Sequence, residues 1–162
     1  MKVFVLSDTH GYIDDQILSY AEGADEVWHV GDWGHLDVYH KLSQVARVRG
    51  VYGNIDGQQI RLAVPKINRF EAEGQKIFMI HIGGYPGRYK PEVRTLLQKE
   101  KPDAVLVGHS HILKVMFDKK LQHLHLNPGA AGKHGFHQVR TALQLDVTPA
   151  GFSNLKVIEW PK

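Results

Sequence analysis

The sequence predicts an α/β fold in which a run of βαβ units is followed by a set of antiparallel additions. Three observations carry this. Short apolar runs at residues 2–6, 26–30, 48–52 and 104–107 have strand length and read as strands buried on both faces, as in a parallel sheet. Stretches with apolar residues near helical spacing separate the first three of these runs, which is the pattern of βαβ units. Each run also ends at a polar turn containing glycine, asparagine or histidine, and open α/β sheets gather their chemistry at the carboxyl ends of their strands.

Taken in order, the first strand ends at Ser7-Asp8-Thr9-His10-Gly11. Ile13, Ile17, Leu18 and Ala21 then mark a helix, with Asp14 and Asp15 in a first turn where they favour the helix dipole and Gly23 as its stop. The strand at 26–30 ends at Gly31-Asp32, residues 36–46 read as a helix, and the strand at 48–52 ends at Gly53-Asn54. Segments 67–71 and 76–81 flank Glu73-Gly74 as a hairpin, and residues 91–99 form a helix with Pro91 at a favourable first position. The strand at 104–107 runs into Gly108-His109-Ser110-His111. Segments 113–117, 121–126, 141–147 and 155–160 read as short strands, some antiparallel, with charged or Pro/Gly turns at 118–120 and 148–151. Residues 129–138, with Gly129, Gly132 and Gly135, are the expected mobile loop.

A chain of 162 residues fits one domain, expected to span residues 1–162. With no cysteine, a disulfide framework, a thiolate metal site and a cysteine nucleophile are all excluded, so any metal must be held by nitrogen and oxygen. The apolar start ends at a carboxylate and does not read as a signal peptide, and no apolar run approaches a spanning helix. A cytoplasmic protein without a membrane partner is expected. The net charge of +3 suits anionic substrates, but no run of Lys/Arg interleaved with aromatics supports nucleic-acid binding. The outstanding feature is histidine, at 11 residues, the commonest metal ligand.

Five strand ends deliver metal-capable side chains: Asp8 and His10, Asp32, Asn54, His81, and His109 with His111. Seven N/O donors exceed one tetrahedral zinc site, and two ions sharing a carboxylate form the clamp used in phosphoester hydrolysis. Asp8-x-His10, Gly31-Asp32, Gly53-Asn54, His81 and Gly108-His109-x-His111 resemble the ordered motifs of calcineurin-like metallophosphoesterases. Asn127-Pro128-Gly129 is similar to a turn of the small prokaryotic phosphodiesterase branch and of its relative, a retromer scaffold subunit. The resemblance implies a four-layer α/β/β/α sandwich with mixed parallel and antiparallel sheets. It implies one metal on Asp8, His10, Asp32 and His111, and a second on Asp32, Asn54, His81 and His109, with Asp32 bridging. The activity so implied is hydrolysis of a small phosphodiester, through in-line attack by a water ionised between two divalent ions. Manganese is the expected ion, with zinc or iron as alternatives.

Two departures qualify the resemblance. Many relatives carry histidine after the asparagine of the third motif, where it aids the leaving group; here Ile55 cannot donate a proton, and Asp56 is expected to orient a ligand. Diesters with good leaving groups are therefore expected over alkyl monoesters. Where relatives place a second histidine after the His81 motif, this chain has Gly83, and Arg88 in the following loop is a candidate phosphate contact beside Asn54. Trp33 is a candidate cleft residue, with packing as the alternative. His123 and His125 share one strand face, expected to be solvated or a subunit contact in a homo-oligomer. The alternative function is a non-catalytic, metal-binding interaction scaffold of the same fold.

Overall fold

The computed structural model describes residues 1–162. In chain order the elements are β1 (Lys2–Leu6), α1 (Asp15–Glu22), β2 (Glu26–His29), α2 (Leu36–Val45), β3 (Arg47–Gly50), α3 (Gln58–Ala63) and β4 (Ile67–Ala72). They continue with β5 (Gln75–Ile80), α4 (Pro91–Glu100), β6 (Ala104–Leu106), β7 (Leu113–Asp118), β8 (His123–Pro128), β9 (Val139–Thr148) and β10 (Gly151–Pro161).

Two five-stranded sheets result, ordered β10-β9-β1-β2-β3 and β4-β5-β6-β8-β7. β1, β2 and β3 are parallel, with Phe4 opposite Val27 and Val27 opposite Val48, and β9 and β10 join antiparallel. In the second sheet β5, β6 and β8 are parallel, flanked by antiparallel β4 and β7. The runs of β1, β2 and β6 are buried on both faces, as expected for such strands, whereas β3 at the sheet edge is half-exposed. Val3 and Val5 point between the sheets, where with Trp28 and Val30 they pack on Ile77, Met79, Leu106 and Leu126. Phe4 and Leu6 point outward onto Ile17 and Ala21 of α1 and Val38 and Leu42 of α2. On the far side Phe78, Ile80 and Val105 pack on Val93 and Leu97 of α4. This is the four-layer α/β/β/α sandwich.

Several boundaries differ from the sequence reading. Asp14 lies outside α1 as its N-cap, accepting the Ile17 N–H at 2.9 Å, rather than in the first turn. β3 starts at Arg47 and ends at Gly50, two residues earlier than expected. The six-residue α3 was not anticipated, because Ile60 is its only buried residue and it shows no apolar periodicity. β8 starts at His123 and continues through Asn127 and Pro128, and β10 begins at Gly151. The start of the 129–138 segment is tied down: Ala131 N–H donates to Ser7 O at 2.9 Å, and Arg140 Nε to Ala131 O at 2.8 Å.

Two side-chain expectations are corrected. Trp33 does not line a cleft: it is fully buried, stacks on His29 at 3.7 Å between ring centroids, and donates to Val51 O at 2.8 Å. His123 and His125 do share a face of β8, but Tyr89 closes over that face and both are buried.

Burial in low-dielectric surroundings favours neutral imidazole, lowering His29 to about 3 and His125 to about 4. A histidine whose folded value lies below its unfolded one stabilises the fold above the unfolded value, and that contribution is lost as pH falls towards the folded value. Between pH 6 and 5 the two together should cost about 2–3 kcal/mol, or about 4–10 °C in Tm. His109, His123 and His137 shift in the same direction and add to the effect. Thermal melts of the metal-free protein across this interval check it, and a flat Tm would contradict it.

Candidate metal centre

The parallel strands of both sheets end along one edge of the sandwich, and their loops carry the candidate ligands. β1 delivers Asp8 and His10, β2 Asp32, β3 Asn54, β5 His81, and β6 His109 and His111. Backbone hydrogen bonds join neighbouring loops, with Asp8 N–H donating to Gly31 O at 2.9 Å, His10 N–H to Asp32 O at 3.0 Å and Gly108 N–H to His81 O at 2.9 Å. The His109 N–H reaches across the sheets to Asp8 Oδ2 at 3.2 Å. Asp8, His10, Asp32, His109 and His111 all have positive φ, between 46° and 71°, a conformation that side chains with a Cβ adopt only when their surroundings hold them there.

Two groups of side chains meet at this edge, Asp8 with His10 and His111, and Asp32 with His81 and His109. Within each group the ligand atoms all lie within 4.8 Å of one another. Asp8 spends Oδ2 on the Ser7 hydroxyl at 2.6 Å and the His109 N–H, leaving Oδ1 at 3.2 Å from His111 Nε2 and 3.9 Å from His10 Nε2. Asp32 Oδ1 accepts the Ile55 N–H, while Oδ2 lies 3.5 Å from His10 Nε2 and 3.2 Å from His81 Nε2, one member of each group. Asn54 Oδ1 lies 3.1 Å from His109 Nδ1. All seven candidate ligands are thus brought together, with Asp32 between the two groups.

The hydrogen-bonding pattern fits a cation. Asp8 Oδ1, His10 Nε2 and His81 Nε2 are buried without a hydrogen-bond partner, which is costly for polar atoms unless something else binds them. His81 Nδ1 is 2.6 Å from Val30 O and must donate to it, so Nε2 carries the free lone pair a metal requires. Burial pushes the Asp8 and Asp32 carboxyls up, but hydrogen bonds and charge from the surrounding histidines outweigh it and hold both below the usual carboxylate range. Burial pulls His81 down, and Asp32 and Asp8 more than reverse that.

Asp56 lies outside the cavity. It is buried and accepts three backbone N–H groups, from Gly53 at 2.7 Å, Gly34 at 3.0 Å and Trp33 at 3.3 Å, which ties the Asp32 loop to the Asn54 loop. Arg88 is exposed and lines neither of the two largest cavities at this edge. His134, Phe136 and His137 were not anticipated: with His10, Asp32 and Ile55 they line a cleft of about 510 Å³ over the two groups. His134 stacks on His10 at 4.7 Å, and Phe136 is fully exposed at the rim. Their only signal in the sequence was an irregular Gly/His segment far from the strand-end motifs.

The fold and the site together define a metal-binding phosphoesterase. The family model described as the calcineurin-like phosphoesterase superfamily domain matches residues 1–149, and the chain belongs to that superfamily. A probable metallophosphoesterase of Methanothermobacter thermautotrophicus is 28% identical over 137 residues, covering 80% of this chain and 77% of the relative. One of Mycoplasma pneumoniae is 36% identical over 119 residues, 68% of each chain. Among solved structures, Vps29 of Entamoeba histolytica complexed with Zn²⁺ superposes with a TM-score of 0.75 at 20% identity, over 99% of both chains. An archaeal phosphodiesterase gives 0.74 at 22%, over 99% of this chain and 100% of the other. At these identities both show the shared fold.

The glycines beside the ligands keep the groups close. A Cβ on Gly53 would overlap Asp32 Oδ1, and one on Gly31, itself at φ +98°, would fall 2.6 Å from His81 Nδ1. Gly53→Ala should weaken metal uptake about tenfold or more by displacing Asp32, whose backbone N the new Cβ would also meet at 2.5 Å, with circular dichroism little changed because the clash falls on a loop and not on a core strand. Metal titration of the variant checks this, and wild-type affinity would contradict it.

Proposed function

We propose that residues 1–162 form one catalytic domain, a dinuclear metal-dependent phosphodiesterase acting on small phosphodiesters. The observation that carries the reading is Asp32 Oδ2 standing between two Asp/His groups in which Asp8 Oδ1, His10 Nε2 and His81 Nε2 are buried without a hydrogen-bond partner. One ion would be held by Asp8, His10, Asp32 and His111, and the other by Asp32, Asn54, His81 and His109, with manganese expected and zinc or iron as alternatives. When bound, such ions supply the Lewis-acid charge that neutralises phosphoryl oxygens and makes water acidic enough to act as the nucleophile.

The chain's own residues select the ester. No lysine or arginine lines the cleft over the two groups, so it offers no protein cation for the extra charges of a polyphosphate. A diester, with a single negative charge, asks least of such a site. Ile55 and Phe136 give the cleft an apolar rim, suited to an aromatic or apolar leaving group, and Ile55 has no proton to give it. Leaving groups stable as anions are therefore favoured. Asp56 keeps the Asp32 and Asn54 loops in place, and Asn54 stands beside His109 at the mouth, where it can also orient a phosphoryl oxygen.

The likeness to Vps29 favours a second reading, a metal-binding interaction scaffold. Hydrolysis of bis(p-nitrophenyl) phosphate separates the two. The expected result is about two ions per chain, turnover lost on chelation and restored by manganese, and a fall of about a hundredfold or more in kcat for Asp32→Asn with the fold retained. Metal uptake without turnover would favour the scaffold, and a fully active Asp32→Asn enzyme would end the bridging assignment.

A further inference from the structure

The sandwich has open sheet edges on two sides, and the chain treats them differently. Asn68 of β4 donates to Gly50 O of β3 at 3.2 Å, and Thr141 of β9 donates to Pro128 O of β8 at 2.7 Å. Strands β3 and β4 therefore edge one side, and β7 and β10 the other. On the first side charged groups cover the apolar rings. Arg49 pairs with Glu26 and lies 4.5 Å from the centroid of Phe70, and Arg69 pairs with Glu100 and lies 5.5 Å from that of Phe78. Charge placed in this way keeps other chains from adding to an edge.

Strand β7 has no such cover. Val115, Met116 and Phe117 are exposed in succession, Phe117 to 51%. Successive strand residues point to opposite faces, so apolar surface lies on both faces of this edge, beside a row of backbone N–H and C=O groups with no strand next to it. Val157 of β10 is exposed on the same side. The edge is also complementary to itself. Two copies of one strand in a continuous antiparallel sheet are related by a two-fold axis perpendicular to that sheet, which matches faces and sets one residue opposite its own copy. With Met116 on the axis, Val115 stands opposite Phe117 and Lys114 opposite Asp118, twice over. Both charges are available for this. Lys114 lies 4.8 Å from the Tyr85 ring centroid and has no carboxylate partner in its own chain. Asp118 Oδ1 accepts the Lys120 and Leu121 N–H groups at 2.9 and 3.0 Å, while Oδ2 has no partner and is not among the atoms sealed from solvent. With Val115 on the axis, Lys114 would face Met116 and no charge pair would form.

We propose that β7 pairs antiparallel with β7 of a second copy of this chain about a two-fold axis at Met116, joining the two second sheets into one of ten strands. The two Val115–Phe117 pairs cover the exposed apolar residues, and the two Lys114–Asp118 pairs fix the register, since cross-strand pairs of opposite charge are favourable and like charges directly opposite are not. An unrelated strand would have to reproduce this match of charge and shape, whereas a second copy carries it already. The pairing is independent of what the strand-end site does.

Sedimentation velocity of the full chain over about 5–200 µM tests the association, with a reversible monomer–dimer equilibrium expected in that range. Phe117→Lys and Lys114→Glu should each weaken it about tenfold or more, the second by setting like charges opposite each other, with circular-dichroism melts close to wild type. A chain still monomeric at about 200 µM overturns the proposal and leaves the edge to a different protein, and a dimer that neither substitution weakens overturns it too. The register is tested separately, because the chain has no cysteine of its own. Met116→Cys would set two thiols directly opposite, with Cα atoms about 4.5–5.5 Å apart, and mild oxidation should cross-link most of the dimer. Val115→Cys would leave its two Cα atoms about 8 Å apart, beyond the roughly 7 Å a disulfide spans, and should cross-link at most a tenth as fast. Equal cross-linking of the two variants, or faster cross-linking through Val115→Cys, overturns the pairing.

Discussion

Everything at the functional edge follows from two carboxylates taken out of water. Asp8 is fully buried and Asp32 nearly so, and isolated buried anions cost several kcal/mol each unless they are paired. The chain surrounds them with imidazoles. His10, His81 and His111 face Asp8, and His10 and His81 face Asp32. The charge of the two carboxylates is thus met by ring nitrogens, and the same nitrogens are of the type that binds a divalent cation. The facing atoms Asp8 Oδ1, His10 Nε2 and His81 Nε2 make no hydrogen bond within the protein, which leaves them free for such a cation.

Holding these groups at close range demands a rigid support. Five of the candidate ligands have left-handed backbone, a conformation disfavoured by about 1 kcal/mol or more for a side chain with a Cβ. The loops could not maintain that alone. They are anchored to parallel strands whose alternate residues fill two different cores, Val3 and Val5 between the sheets and Phe4 and Leu6 under the helices. Asp56 then clamps two loops through three backbone N–H groups. On the other side, buried Arg140 binds Ala131 O and pairs with Asp14 at 3.3 Å, joining the 129–132 segment to the cap of α1. Strain at the site is thus offset by packing elsewhere, the usual arrangement where geometry serves chemistry.

The meeting of the seven candidate ligands was legible in the sequence because each follows an apolar run by one to five residues, and a parallel strand fixes where its end lies. Local order is enough for that. What escaped depended on partners distant in sequence. Trp33 adjoins Asp32, yet the loop turns it inward onto His29 and Val51. The alternation of His123 and His125 correctly placed them on one face, but whether that face is wet is decided by Tyr89, more than thirty residues away. α3 presents a single buried residue, too little for any period to register. Phe136 and His134 belong to a segment without periodicity, held over the two Asp/His groups by hydrogen bonds of Ala131 and Gly132 to Ser7 and Asp8 and of Lys162 to Gly135 and His137.

The charges around the candidate site have their own physical logic. No lysine or arginine lines the cleft over the two Asp/His groups, where a fixed cation would oppose an incoming dication. Fixed cations stand in the neighbouring spaces instead: Arg61 and Lys66 share a cavity of about 250 Å³ with Asn54 and His81, and Lys90 and Lys114 lie across the His109–Ile112 wall. Interactions between exposed charges fade over about 8–10 Å at ordinary ionic strength, so cations so placed draw anions towards this edge while only weakly opposing a cation in the cleft. His109 borders both the cleft and the cavity beside it, as does Ser110, whose hydroxyl accepts from Asn127 at 3.1 Å. A shift of the loop after β6 would therefore reshape both spaces together.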